Sequence, residues 1–121
     1  MARHKVEIPA ERERQFDLIA AASAATLDWA RAHAQPLLHI EPVVPFVETD
    51  FSLDAWLFLD SEDRIKRARA DGTADVLAAQ FCAELAKAGY PREWLSKVSC
   101  HFGSKEVVDR DFQGSYYYFL R

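Results

Sequence analysis

The sequence predicts an α+β fold, in which a small and mainly antiparallel sheet packs with a long N-terminal helix and two further helices. Apolar residues recur at helical spacing near the N-terminus, and several short apolar runs are bordered by polar turn residues. The 121 residues contain no internal repeat and no linker, so we expect a single domain over 1–121. A chain of this length buries about two thirds of its surface, which is enough for a hydrophobic core.

The long helix is predicted over residues 9–34. Pro9 suits a first helical turn, and Pro36 ends the segment. One apolar stripe runs through Phe16 and Ile19, and a second stripe lies beside it. The apolar surface of this helix is therefore wide, and we expect it to cover one face of the sheet.

The remaining elements follow from hydrophobic runs and from turn and capping residues. Gly72 and Gly89 predict the ends of two successive helices. The run over 53–59 has the length, the aromatic content and the polar borders of a strand. We expect strands at 37–41, 46–48, 53–59, 97–102 and 115–120, helices at 61–71 and 73–88, and single helical turns at 91–95 and 105–109.

Side-chain alternation indicates that the sheet has two apolar faces. Successive residues of a strand point to opposite sides, so Leu57 and its aliphatic neighbours oppose Trp56 and Phe58. The aromatic face is expected to gather Trp56, Phe58, His101, Tyr117 and Phe119. A second layer must cover it, and the candidates are the N-terminal helix, a second copy of the chain, or a ligand or partner.

Composition argues against several functional classes. The net charge of −4 and the pI near 5.5 lack the basic excess of phosphate-binding surfaces, so nucleic-acid binding is not expected. The first residues form no apolar leader, and the longest uncharged run, 18–27, is too short to span a membrane. We therefore expect a cytoplasmic protein without membrane association. Its alanine-rich composition, with arginine preferred over lysine, is typical of bacterial proteins.

Cysteine and histidine chemistry gives little support for catalysis. Cys82 and Cys100 are too few for a disulfide scaffold and are predicted to be buried free thiols. Cys100 precedes His101, but neighbouring strand residues face opposite sides, so the two are not expected to pair. His39 and Glu41 share a strand face and suggest, with His101, a metal site or a base. No further ligand stands at a recognisable spacing, so a surface pair is expected.

A local basic run is predicted to be a solvated helix face. Arg64 and Arg67 fall on one side of their helix, and acidic residues precede them, as the helix dipole favours. Known motifs for nucleotides, calcium and hydrolytic nucleophiles are missing from the sequence. No catalytic residue, metal site or cofactor is therefore predicted.

These observations favour a small binding, regulatory or accessory protein, a class that includes immunity proteins. It would act through protein contacts, either as a homodimer or with a partner. The alternative is a small enzyme or ligand-binding domain with an aromatic pocket near Trp56, Phe58, His101 and Tyr117. An enclosed pocket would favour the alternative, whereas an open aromatic patch would favour a protein partner.

Overall fold

The computed structural model describes residues 9–120 of the chain. This part contains six helices and three strands. The helices are α1 (Ala10–Ala32), α2 (Glu62–Asp71), α3 (Thr73–Ala88), α4 (Arg92–Leu95), α5 (Lys105–Asp111) and α6 (Tyr116–Phe119). The strands are β1 (His39–Val43), β2 (Leu53–Leu59) and β3 (Val98–Ser104). The α+β class and the long N-terminal helix are confirmed. The expected lack of a leader concerns residues 1–8, which lie outside the described part.

The three strands form one mixed sheet in the order β1-β2-β3. β1 pairs antiparallel with β2, and Glu41 stands opposite Trp56. β2 pairs parallel with β3, and Trp56 stands opposite His101. The prediction of a mainly antiparallel sheet is therefore wrong for the second strand pair. Parallel neighbours need a long crossover connection, which α2, α3 and α4 provide between β2 and β3.

α1 and α3 pack against each other on the aliphatic face of the sheet. The inward side chains of β2, which are at most 1% exposed, are Leu53, Ala55, Leu57 and Leu59. Of the candidates for covering the aromatic face, α1 is therefore excluded, because it packs on the other side of the sheet. Its buried positions include the small residues Ala22 and Ala30, which allow close approach to the helix layer, whereas Phe16 remains 40% exposed.

Capping residues mark the starts and the ends of helices where the sequence predicts them. The Ser61 hydroxyl accepts a hydrogen bond from the Arg64 N–H at 3.1 Å and begins α2. Gly72 and Gly89 take left-handed conformations, with φ of 88° and 99°, at the ends of α2 and α3. Ser104 caps α5 in the same way as Ser61 caps α2.

The C-terminal aromatic run forms a helical turn, and the strand predicted over 115–120 is wrong. The Ser115 hydroxyl accepts a hydrogen bond from the Tyr118 N–H at 3.1 Å and caps α6. Residues three apart share one side of a helix, so Tyr116 and Phe119 both pack on the sheet. Tyr117 points away and is 66% exposed.

The strand predicted over 46–48 is replaced by a loop that joins β1 to β2. The Arg12 guanidinium of α1 donates to the carbonyl oxygens of Val47 and Asp50 at 2.7 and 2.9 Å. These carbonyl groups bond to a side chain, so they are not available to a strand ladder. The loop is held against the start of α1.

Candidate functional site

The second face of the sheet carries the candidate site, because strand register gathers aromatic and titratable side chains there. The rows across this face are His39, Phe58 and Gly103; then Glu41, Trp56 and His101; then Val43, Asp54 and Ser99. Leu57 belongs to the core on the helix side. The prediction that Trp56 and Phe58 oppose Leu57 is therefore confirmed.

The C-terminal segment covers Phe58 and Gly103 of the first row, whereas His39 in the same row stays partly exposed. Phe58 is fully buried, and the rings of Tyr116 and Phe119 meet it edge-on at centroid distances of 4.6 and 5.4 Å. Gly103 allows this packing, because a Cβ atom there would lie 2.6 Å from Cε1 of Phe58. Phe112 adds a further edge-on contact to Phe119. We call Phe58, Phe112, Tyr116 and Phe119 the covered cluster.

The rest of the face is open to solvent, and we call it the Trp56 patch. Its members are His39, Glu41, Asp54, Trp56 and His101. The side chains of the two histidines and the two carboxylates are 35–54% exposed, and Trp56 is half-buried. The second layer predicted from the sequence is thus supplied by the chain itself, but only over half of the face.

Trp56 lies at the boundary between the covered cluster and the patch. The ring of Phe119 meets its indole edge-on at 5.5 Å, and the imidazole of His101 stacks against it at 4.9 Å. Nε2 of His101 lies 2.8 Å from Oδ1 of Asp54. These contacts restrict rotation of both rings, so the indole is presented in one orientation.

A second histidine–carboxylate pair stands on the other side of Trp56. Nε2 of His39 lies 2.7 Å from Oε1 of Glu41, and the imidazole stacks on the ring of Tyr116 at 4.1 Å. Burial raises the pKa of the Tyr116 phenol. His39 and Glu41 share a face as predicted, whereas His101 pairs with Asp54 and does not join them.

The patch can support two kinds of chemistry. An indole with carboxylates nearby attracts a cation, through the negative face of the ring and through charge. An imidazole held by a carboxylate can act as a general base. Over residues 9–120, no group of three or more His, Cys, Asp or Glu side chains is placed to hold a metal ion.

Four of the five residues predicted for the site come together: Trp56, Phe58, His101 and Phe119. Tyr117 does not, because α6 directs it into solvent. Strand alternation placed Asp54 on the same face as Trp56 but did not assign it to the site, and Tyr116 was missed. The signal for Tyr116 was present, since it precedes Phe119 by one helical turn.

Sequence reasoning also missed a buried polar network that positions the loop beside the patch. Arg12 donates to Oε1 of Gln15 at 2.7 Å, and Nε2 of Gln15 donates to the Tyr90 hydroxyl at 2.9 Å. Arg12 and Gln15 are 5% and 0% exposed. The loop that they hold carries Phe46, whose side chain is fully exposed.

The basic run on α2 is a solvated helix face, as predicted. Arg64 lies 3.4 Å from a carboxylate oxygen of Asp60, and Arg67 lies 2.9 Å from one of Asp63. Each guanidinium is therefore balanced by an acidic residue one turn earlier. This part of α2 offers no excess of positive charge to a phosphate group.

The two cysteines are free, as predicted, but they are partly exposed and not buried. Interaction with the Cys100 thiol lowers the pKa of Cys82 to about 7. The same interaction, together with burial, raises the pKa of Cys100. Cys100 and His101 point to opposite faces of β3, as expected.

None of the helices within residues 9–120 has both the length and the apolar character needed to cross a membrane. Comparison with protein-family models, with curated proteins and with solved structures finds no match to this chain. The feature of the molecule that points most directly to a function is therefore the Trp56 patch.

Proposed function

We propose that the protein is a binding module, which recognises basic side chains of a partner protein through the Trp56 patch. One observation carries this proposal: the indole of Trp56 is held in a fixed orientation, with Glu41 and Asp54 among its neighbours on the same face. A lysine or arginine over an indole gains about 0.5–2 kcal/mol from the cation–π interaction. The two carboxylates add charge attraction to that gain.

The shape of the surface supports a protein partner over a small molecule. The patch is an open sheet face, and it continues to Val43 at the end of β1, which is 38% exposed. The loop that follows β1 presents the exposed ring of Phe46. An aromatic anchor with a polar and partly apolar surround is typical of protein interfaces.

Charge supports a different protein over a second copy of the same chain. A two-fold dimer through this face would bring Glu41 and Asp54 of both copies into one interface. The chain as a whole also carries a net charge of −4. Like charges in an interface oppose association, whereas a basic partner is attracted.

The two histidine–carboxylate pairs favour a second candidate, acid–base catalysis. Each carboxylate orients an imidazole, as a general base requires. Both pairs lie on an open face, with His39 and His101 36% and 40% exposed. Exclusion of water strengthens the electrostatic interactions on which catalysis depends, so this geometry favours binding.

Capture followed by direct titration tests the proposal. The full-length chain and the double variant Glu41→Gln/Asp54→Asn are immobilised and exposed to a cell extract of the source organism. A protein retained by the first and not by the second is purified and titrated by calorimetry. We expect at least about tenfold weaker binding to the double variant, since two charge contacts are lost. Tyr117→Ala, which alters an exposed ring outside the patch, should bind like the parent chain.

Three results would overturn the proposal. One is equal binding of the partner to the parent chain and to the double variant. Another is a partner whose contact surface contains no lysine or arginine. The last is a dimer of the chain, seen by light scattering, that the Glu41→Gln/Asp54→Asn substitutions dissociate.

A further inference from the structure

Each carboxylate of the Trp56 patch uses only one of its two oxygens within the chain. Nε2 of His39 donates to Oε1 of Glu41, and Nε2 of His101 donates to Oδ1 of Asp54, since an ionised carboxylate only accepts hydrogen bonds. Over residues 9–120, no donor bonds to Oε2 of Glu41 or to Oδ2 of Asp54. The Glu41 and Asp54 side chains are 35% and 54% exposed. Each carboxylate therefore has a fixed orientation and one oxygen left for a ligand.

The two carboxylates lie close enough together for one ligand group to reach both. Glu41 stands opposite Trp56, and Asp54 lies on the same face two residues before Trp56, diagonally across from Glu41. Diagonal neighbours on one face of an antiparallel pair are about 7–8 Å apart. A group with hydrogen-bond donors on two of its edges can span this separation.

The indole is placed to stack with a planar ligand. The row across the sheet sets Trp56 between Glu41 on β1 and His101 on β3. The imidazole of His101 already stacks on the indole at 4.9 Å, with 27° between the ring planes. A second planar group can extend this stack on the flank toward Glu41.

Arginine and lysine differ in how they can use this arrangement. A guanidinium is planar, stacks on aromatic rings and carries five N–H donors in its plane. An ammonium is a compact and strongly hydrated charge with three donors. A guanidinium stacked on the indole can therefore donate to two carboxylates at once, whereas an ammonium offers charge without stacking.

We propose that the Trp56 patch selects arginine over lysine. The guanidinium lies along the indole of Trp56 and donates N–H groups to Oε2 of Glu41 and Oδ2 of Asp54. This inference rests on the proposed function, the recognition of basic side chains, and it names the side chain that the partner contributes. The two histidines act as positioning residues, because each holds one carboxylate with its second oxygen free.

Three peptides of equal charge test the selection. Tetra-arginine, tetra-lysine and a tetrapeptide of asymmetric dimethylarginine are titrated into the ¹⁵N-labelled full chain at one salt concentration, and the indole N–H signal of Trp56 is followed by NMR. Methylation keeps the charge of the guanidinium but removes donors from one nitrogen. We expect tetra-arginine to bind at least about fivefold more tightly than either of the other peptides.

Single variants test the bridge between the two carboxylates. In Glu41→Gln and in Asp54→Asn, the affinities for tetra-arginine and tetra-lysine should differ by less than about twofold, since each variant loses one end of the bridge. Asp17→Asn, the same change of charge at an exposed position of α1, should keep the selectivity of the parent chain.

The peptide comparison on the parent chain does not depend on the folding of any variant. Equal affinity for tetra-arginine and tetra-lysine would overturn the selection and leave the proposed function standing. Equal or tighter binding of the methylated peptide would also overturn it, because stacking alone would then explain the affinity. No movement of the Trp56 signal with any of the three peptides would overturn both the selection and the proposed function.

Discussion

At the scale of single residues, Gly103 controls how closely the covered cluster packs on the sheet. A methyl group at this position would lie 2.6 Å from Phe58 and 3.3 Å from Phe119. We expect Gly103→Ala to lower the free energy of unfolding by about 1–3 kcal/mol, because the rings must shift. Ser99→Ala, on the same face of β3 but exposed, should change it by less than about 0.5 kcal/mol. Urea unfolding measures both, and equal effects would contradict this packing.

The pKa of Cys82, which the Cys100 thiol lowers, predicts how the reactivity of Cys82 depends on pH. Because its pKa is about 7, the thiolate fraction should rise through half-maximum near pH 7. In Cys100→Ala only burial remains, and burial raises the pKa above the ordinary value of 9.0. The alkylation rate of Cys82 at pH 7 should then fall at least about tenfold. Mass spectrometry of the Cys82 peptide measures this rate, and an unchanged pH midpoint in the variant would contradict the influence of Cys100 on the pKa of Cys82.

Side-chain direction was predictable wherever it depends only on the local alternation of a strand. Trp56 and Phe58 lie opposite Leu57 for this reason. The pairing of Asp54 with His101 was not predictable, because it depends on the register between two strands that are distant in sequence.

At the scale of elements, α6 directs two of its four aromatic residues, Phe119 and Tyr117, to different sides, which a strand would not do. Phe119 packs on Trp56 and Phe58, so Phe119→Ala should cost about 2–3 kcal/mol of stability. Tyr117→Ala should cost less than about 0.5 kcal/mol, since its ring is exposed. Thermal or urea unfolding of the two variants provides the comparison. A strand would place both residues on one face, so equal losses would contradict the helix.

The prediction of a strand at the C-terminus is wrong because the strand propensity of a residue depends on the structure around it. Aromatic residues favour strands when a neighbouring strand is available for pairing. Here the Ser115 hydroxyl satisfies the first N–H groups of a helical turn, and the rings of Tyr116 and Phe119 find their partners on the sheet face. Local capping and tertiary contacts therefore outweigh propensity.

The buried guanidinium of Arg12 holds the loop over residues 44–52, which follows β1. Arg12→Met would leave the Asp50 carbonyl without its side-chain donor, and the Val47 carbonyl would keep only the Asp50 N–H. This loss should cost about 2–3 kcal/mol. Amide hydrogen exchange should increase over residues 44–52 and change little in β2. Arg14→Met is the matched control, because Arg14 is exposed and makes one long bond of 3.5 Å to the Gly89 carbonyl. Equal exchange in the two variants would contradict the role of Arg12.

At the scale of the whole molecule, the sheet separates a large core beneath the helices from a smaller aromatic cluster on its other face. The sequence predicted two apolar faces, and it did so from alternation alone. It did not predict which segment covers the second face, because the assignment of layers depends on long-range packing. The parallel pairing of β2 with β3 was missed for a related reason: the helices between them act as a crossover, and the sequence pattern does not reveal which strands become neighbours.

The most direct test of the account uses the indole N–H signals of the three tryptophans. Tetra-arginine, with tetra-glutamate as control, is titrated into the ¹⁵N-labelled chain and followed by NMR. We predict that tetra-arginine shifts the Trp56 signal and leaves those of Trp29 and Trp94 unchanged, because Trp94 is buried and Trp29 stacks on His33 away from the patch. The shift should disappear in Glu41→Gln/Asp54→Asn. No movement of the Trp56 signal, or equal movement of all three, would contradict a cation-binding surface on the open half of the sheet.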